Sequence, residues 1–113
     1  MANKEFLYIG HYYDILGNYI LKIGTTNDLD RRRKEHSRKY KQSPNCTMPQ
    51  DQEFVYDWHL PLSKWNTHRF EEINIDLWKE MGFGEYVRND RFCCETKPDF
   101  VQVAIRKVYQ VAL

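Results

Sequence analysis

The stretch that decides the fold is Phe6-Leu-Tyr-Ile-Gly10, followed by Leu21-Lys-Ile-Gly-Thr-Thr26 and then by Asn27-Asp-Leu-Asp-Arg-Arg-Arg-Lys-Glu-His36. The first two runs are rich in aromatic, β-branched and other apolar residues, which is typical of short strands. A Gly-Asn pair between them predicts a tight turn. The third run opens with residues that cap helices and is then strongly basic, so it predicts a helix directly after the second strand.

This order brings four chemically useful side chains, Tyr8, Lys22, Arg32 and His36, into one short part of the chain. Tyrosine and histidine side chains transfer protons in enzymes. Lysine and arginine neutralise the charge that grows on phosphate oxygens in a transition state. The combination therefore favours chemistry on a phosphodiester.

The rest of the chain completes an α+β pattern of antiparallel strands with helices packed against them. In the third strand, Phe54, Tyr56 and Trp58 alternate with other residues and are expected on one face, and Pro61 is expected to end the strand. The predicted elements are strands at 6–13, 19–24 and 53–60, a helix that starts in 25–28 and runs to about Lys41, helices at 67–81 and 99–113, and an extended or looped segment at 85–92.

Length and composition indicate one soluble domain over residues 1–113. The chain is 42% hydrophobic and 29% charged, which is ordinary for a globular protein and excludes a disordered one. Aromatic residues make up 15% of the chain, so we expect them to fill much of the core. The sequence contains neither a run long enough to span a membrane nor a signal-peptide pattern. An intracellular location, in the cytoplasm or nucleoid, is therefore expected.

The three cysteines, Cys46, Cys93 and Cys94, do not form the framework of a disulfide-rich protein. Together with a histidine they offer enough ligands for zinc, but their spacing fits no standard zinc pattern. The sequence therefore predicts reduced, buried thiols.

Charge is unevenly distributed although the net charge is only +1. Between Arg31 and Lys41 there are seven Lys or Arg residues and one Glu. The small net charge argues against a protein that coats nucleic acid by bulk electrostatics. A basic helix that faces phosphates fits the local concentration of charge, and a basic face that is simply solvated fits it as well.

The order of these motifs resembles the GIY-YIG nuclease superfamily, and within it the phage- and virus-rich branch whose second motif reads KIG. The resemblance covers residues 5–40 well and residues 52–92 loosely. The matching residues are the first-motif tyrosine at Tyr8, the second motif at Lys22-Ile-Gly24, the D-[LF]-x-x-R pattern at Asp28-Leu-Asp-Arg-Arg32, and the histidine one turn later at His36.

The resemblance implies a small three-stranded antiparallel sheet flanked by helices, and a hydrolase that acts as a metal-dependent DNA endonuclease. In that family Tyr8 would position or activate the attacking water and Arg32 would stabilise the transition state. His36 would move a proton or hold its neighbours in place. Lys22 stands where most members have a second tyrosine, and its ammonium would hold the phosphate as a point charge.

The same resemblance implies a divalent cation, Mg²⁺ or Mn²⁺, held by a glutamate near the start of a later helix. Magnesium commonly uses only one or two protein carboxylates. Glu71 borders the apolar stripe of the predicted second helix, whereas Glu72 points nearly away from it. We therefore predict that Glu71 is the metal ligand, with Glu72 as the runner-up.

Substrate contacts are predicted at Arg31, Arg33 and Asn89, the last lying just beyond a Gly84-Glu85-Tyr86 element that also resembles the family. Exposed charges, or a turn closed by its own side chains, account for these residues equally well.

DNA is the expected partner, bound with little sequence specificity because the chain shows no helix-turn-helix or zinc finger. A homodimer or a targeting partner would supply specificity. A weak or inactive nuclease-like domain that only binds nucleic acid is the alternative function, and a protein-interaction module is the third.

Overall fold

The computed structural model describes residues 4–82, 84–87 and 91–94. Within them the chain forms one five-stranded sheet and two helices. The elements are β1 (Lys4–Tyr13), β2 (Tyr19–Thr26), α1 (Leu29–Lys41), β3 (Val55–Ser63), α2 (Lys64–Met81), β4 (Glu85–Val87) and β5 (Arg91–Cys94).

The sheet is built around the β1–β2 hairpin and has the strand order β3-β1-β2-β5-β4. Every adjacent pair is antiparallel. In the central pair Tyr8 lies opposite Gly24. Gly17 has a φ of 83° in the connecting turn, a backbone conformation that glycine adopts without a steric penalty.

The expected α+β class is confirmed, but the expectation of three strands was wrong because the described sheet has five. The segment that was expected to be extended or looped at 85–92 supplies both additional strands. Residues Arg91–Cys94 pair with β2, and Glu85–Val87 then pairs with β5. Strands as short as these form by pairing with residues distant in the chain, so their own sequences do not predict them.

Strand β3 differs from its prediction in length and in the faces of its side chains. It continues through Pro61 to Ser63, which an edge strand tolerates because one side of it makes no ladder. A register shift opposite Ile9 and Gly10 breaks the alternation. Tyr56 therefore packs with the aromatic residues beside α1, whereas Trp58 packs on the other side of the sheet.

Local capping signals set the ends of both helices. The Asp28 side chain accepts a hydrogen bond from the Arg31 backbone N–H and caps α1. Ser63 caps α2 in the same way, so the helix begins at Lys64, three residues before the predicted start, and Gly82 ends α2 in the left-handed conformation. The predicted helix at 99–113 lies outside the described residues.

The two helices pack on opposite faces of the sheet because alternate strand residues point in opposite directions. We call the two resulting clusters the α2 core and the α1 core. The α2 core contains Leu7, Ile9, Tyr19, Leu21, Ile23, Phe70, Ile75, Trp78, Phe92 and Cys94. The α1 core contains Tyr8, Tyr12, Ile20, Tyr40, Met48 and Phe54. As expected, aromatic residues supply much of the buried volume.

Neither helix of the described part of the chain is long and apolar enough to cross a membrane.

Candidate functional site

The candidate site lies on the α1 face of the sheet and is centred on Tyr8. This side chain is fully buried, and its hydroxyl oxygen lies 2.6 Å from Nε2 of His36. The tyrosine ring lies directly over Gly24, its cross-strand partner. A Cβ atom added at Gly24 would lie only 2.6 Å from Cζ of Tyr8. The glycine of the KIG motif therefore makes room for the phenol.

Replacing that glycine should disturb the site directly. Gly24→Ala is expected to lower the free energy of unfolding by about 1–3 kcal/mol, because the added methyl group forces the Tyr8 ring out of its position. Urea unfolding of the variant and of the wild type measures the difference. A change below about 0.5 kcal/mol, within the range of neutral substitutions, would show that the ring moves without cost and that Gly24 does not hold it.

His36 is neutral in this environment. It is 2% exposed, and its ring stacks on Tyr40 at 5.2 Å with an angle of 8° between the planes. Burial, and to a smaller extent the nearby charges of Lys22 and Arg32, together lower the pKa of His36 to about 3. A neutral imidazole carries one N–H, and with that proton on Nδ1 the Nε2 atom accepts the hydrogen bond that the Tyr8 hydroxyl donates.

This depressed pKa makes a prediction about stability. The unfolded chain takes up a proton near pH 6.5, whereas the folded imidazole stays neutral until about pH 3. The stability that neutral His36 contributes to the fold is therefore complete above about pH 6.5. It is lost as the pH falls from about 6.5 toward about 3, at about 1.4 kcal/mol per pH unit. The measurement is urea unfolding between about pH 7.5 and pH 5.

A His36→Asn variant is the control for that measurement because asparagine does not titrate. Its stability should fall less steeply with decreasing pH than that of the wild type. Identical slopes in the two proteins would mean that His36 is protonated in the folded state, which is incompatible with a neutral, buried imidazole.

Arg32 covers the Tyr8–His36 pair from the solvent side. Its side chain is 40% exposed, and its Nη1 donates to Oε2 of Glu35 at 2.9 Å. Burial alone would lower the pKa of Arg32, but the contacts with Glu35 and Tyr8 outweigh it and raise the pKa. The Nε atom is buried and makes no hydrogen bond within the described residues.

Lys22 lies beneath the same face and is only 5% exposed. In the sheet it stands opposite Gly10 on one side and Arg91 on the other. Its ammonium group is close enough to His36 to lower the pKa of the imidazole. The structure thus places Lys22 near the Tyr8–His36 pair.

The phenol of Tyr8 stays protonated near neutral pH. Burial raises its pKa well above the usual value, and the neighbouring Arg32 offsets only part of that increase. Tyr8 is therefore a hydrogen-bond donor to His36 and not a phenolate in the structure as it stands.

The predicted substrate-binding arginines lie on the outside of α1. Arg31 is 57% exposed and pairs with Glu35, while Arg33 pairs with Asp30 and Glu53. A DNA backbone can approach Arg31 more readily than Arg33, whose side chain is only 33% exposed. The third predicted contact, Asn89, lies outside the described residues.

The predicted metal ligands do not share a sheet face with the Tyr8 pocket. Glu71 is half-buried and Glu72 is exposed, and both belong to α2, which packs on the opposite side. Magnesium prefers oxygen ligands such as carboxylates. Tyr8, His36, Arg32 and Lys22 instead present a phenol, an imidazole and two cations. This donor set does not suit Mg²⁺, and the carboxylate that contacts Arg32, Glu35, is already paired with it.

Sequence reasoning missed the aromatic and cationic stack behind the site. Arg91 is 2% exposed and donates to the Tyr12 hydroxyl at 2.7 Å and to the Asn45 carbonyl at 3.2 Å. Its guanidinium also lies 4.5 Å from the centre of the Tyr40 ring, which in turn stacks on His36. The sequence offered one signal, the four-residue spacing of His36 and Tyr40 on one helix.

A family model described as the T5orf172 domain matches residues 5–112. It is a phage-associated domain related to nuclease-like folds. No curated protein and no solved structure matches the chain. Because the family model spans nearly the whole sequence, the chain belongs to the T5orf172 domain family.

Proposed function

We propose that this protein is a DNA endonuclease of the GIY-YIG type that binds a backbone phosphate at Arg32 and hydrolyses the phosphodiester there. One observation carries the proposal. Arg32, a partly exposed guanidinium, interacts with the Tyr8 hydroxyl and lies close enough to His36 to lower its pKa, while Tyr8 and His36 are hydrogen-bonded to each other. The nuclease-like character of the family supports the same class of activity.

A phosphate can take the place of Glu35 at Arg32. An exposed ion pair between residues three apart on one helix contributes only about 0.5 kcal/mol. A phosphodiester offers two oxygens to the planar guanidinium and makes stronger, charge-assisted bonds. Lys22 adds a second positive charge beneath the same position. DNA binding therefore moves Arg32 away from Glu35 and opens the way to Tyr8.

The bound phosphate also changes the proton chemistry behind it. Its negative charge offsets Lys22 and Arg32, two of the cations that lower the pKa of His36, so the imidazole becomes a better base. Water then attacks phosphorus and passes its proton to the Tyr8 oxygen, while Tyr8 passes its own proton to His36. The P–O bond to the leaving sugar oxygen breaks, and that oxygen takes a proton from solvent.

A requirement for Mg²⁺ or Mn²⁺, with Glu71 as ligand and Glu72 as the runner-up, remains a prediction from the family resemblance. Both glutamates belong to α2, which packs on the sheet face opposite Tyr8, so an ion held there would lie away from a phosphate at Arg32. The steps assigned above to Arg32, Tyr8 and His36 do not pass through such an ion.

The second candidate function is a domain that binds nucleic acid and cuts it weakly or not at all. Two observations favour it. Tyr8 is fully buried, so water does not reach it until Arg32 moves. Lys22, which stands in the place of a second tyrosine, cannot act as a phenol does.

The test is a nicking assay on supercoiled plasmid with the full chain, in Mg²⁺, in Mn²⁺ and in EDTA. The endonuclease predicts nicked circles with a divalent ion, fewer in EDTA, and a rate about 100-fold lower in Tyr8→Phe, which removes only the hydroxyl. Retarded plasmid without nicks under every condition would instead establish the binding domain. Absence of any salt-dependent DNA affinity would contradict both functions.

A further inference from the structure

The structure brings together one aspartate and two cysteines that the sequence keeps far apart. Ligand atoms of Asp14, Cys46 and Cys93 all lie within 4.8 Å of one another. They come from the β1–β2 turn, from the α1–β3 connection and from β5. Sequence spacing argued against a zinc site because it fits no standard pattern. In the structure Cys93 and Cys94 point to opposite faces of β5, and an aspartate rather than a histidine joins Cys46 and Cys93.

Each of the three residues is held in place by hydrogen bonds. A metal would displace the hydrogen bond between the Cys46 and Cys93 thiols and the 3.3 Å bond that Oδ2 of Asp14 accepts from the Asn18 side chain. Oδ1 of Asp14 accepts the backbone N–H groups of Leu16 and Asn18. The carbonyl of Cys46 accepts a hydrogen bond of 2.6 Å from the Tyr12 hydroxyl. Cys93 is fixed by the pairing of β5 with both of its neighbours.

The backbone at Cys46 carries a further sign of constraint. Cys46 has a φ of 52°, and in the described part of the chain every other residue with a positive φ is a glycine. This region is unfavourable for residues with a Cβ atom and persists where surrounding contacts enforce it. Here it orients the loop so that the Cys46 side chain reaches Asp14 and Cys93.

We propose that Asp14, Cys46 and Cys93 bind one zinc ion, with a fourth position open to solvent. Two thiolates and a carboxylate are ligands that Zn²⁺ accepts in tetrahedral geometry. Tetrahedral Zn–S bonds of about 2.3 Å place sulfur atoms about 3.8 Å apart, so the present separations need to close by about 1 Å at most. The fourth position faces solvent because both cysteines are only half-buried.

The charges around the cluster are compatible with this ion. Zinc with two thiolates and one carboxylate leaves a single net negative charge. The guanidinium of Arg91, which is buried and acts on the Cys46 thiol electrostatically, balances it. A buried charge is tolerated where an opposite charge lies beside it.

This centre is separate from the proposed nuclease site. Asp14 follows Tyr13 at the end of β1, six residues along from Tyr8, which is about 20 Å of extended strand. The ion would join three segments that are distant in sequence and so stabilise the fold. Its presence or absence is therefore measured without reference to nuclease activity.

The experiment is a zinc analysis of the full chain, purified under reducing conditions from zinc-supplemented medium. The wild type is expected to hold about one zinc per chain, and Cys46→Ala and Cys93→Ala to fall below about a tenth of that. Cys94→Ala is the matched control because this neighbour of Cys93 lies in the α2 core, and it should keep the metal. Wild-type zinc no higher than that of the Cys46→Ala/Cys93→Ala double variant overturns the proposal.

A second measurement keeps the test decisive if the cysteine variants fold poorly. Asp14→Asn keeps an oxygen for the Leu16 and Asn18 backbone N–H groups and removes only the charge. Cobalt added to the apo protein should give thiolate-to-metal absorption in the wild type and at least about tenfold weaker binding in Asp14→Asn. Equal cobalt affinity, or a Cys46–Cys93 disulfide in place of the metal, contradicts a zinc site.

Zinc affinity should also rise steeply with pH. Both cysteines bind Zn²⁺ as thiolates, so the metal must displace two protons. The apparent affinity is therefore expected to increase up to about 100-fold per unit between about pH 6 and pH 8. A flat profile would show that the thiols are not ligands.

Discussion

Arg32→Ala is expected to reduce plasmid nicking by about 100- to 1000-fold, which is the cost of removing one donor that stabilises charge in a transition state. Stability should change little, since the ion pair that Arg32 makes with Glu35 is an exposed contact within one helix. The loss should appear in kcat as well as in kcat/KM, because the proposed contact strengthens as charge develops on the phosphate. Single-turnover nicking and thermal unfolding together measure both quantities.

Lys34→Ala is the matched control for that variant. Lys34 lies on the same helix, is 68% exposed and pairs with Asp30 through a comparable surface contact. Its removal should lower DNA affinity slightly and leave the rate of bond cleavage unchanged. If Arg32→Ala and Lys34→Ala reduce nicking equally, Arg32 contributes only a positive charge that attracts DNA and makes no specific contact with the reacting phosphate. If Arg32→Ala loses cooperative unfolding, the residue is structural.

Trp78→Ala is expected to destabilise the fold by about 3–5 kcal/mol, the usual cost of deleting a large buried aromatic side chain. Trp78 is fully buried in the α2 core, and its ring meets Phe92 of β5 edge-on at 5.6 Å. Trp78 therefore packs α2 against β5, the strand that the sequence analysis did not predict. Urea unfolding monitored by circular dichroism measures the change.

Trp65→Ala on the same helix is the control. Trp65 is 69% exposed, and its ring contacts Arg69, so its removal should cost less than about 0.5 kcal/mol. Similar losses in the two tryptophan variants would show that α2 does not pack on the sheet through Trp78.

Local signals predicted the hairpin and the first helix. Alternating aromatic and β-branched residues, a Gly-Asn turn and an Asp cap act over a few residues, so they can be recognised without knowing the partner strands. The same local order put Tyr8, Lys22, Arg32 and His36 on one face, and the structure brings these four together.

Features that depend on long-range pairing were not predictable in this way. The short run Arg91–Cys94 becomes a strand because β2 offers it an open edge. The register shift beside Ile9 and Gly10 reverses the expected face of Trp58. The apolar stripe of the predicted second helix indicated that Glu71 lies toward the sheet. Periodicity alone does not say which face of the sheet a helix covers.

The central claim is that a DNA phosphate binds at Arg32, above Tyr8 and His36. Side-chain NMR of the full chain during titration with a short DNA duplex, without a divalent ion, tests it most directly. We expect the Arg32 Nε–H and His36 imidazole signals to shift together and the His36 pKa to rise, while the Trp78 indole signal on the opposite face stays in place. Shifts confined to Trp65 and His68 on α2, with Arg32 and His36 unchanged, would contradict phosphate binding at Arg32.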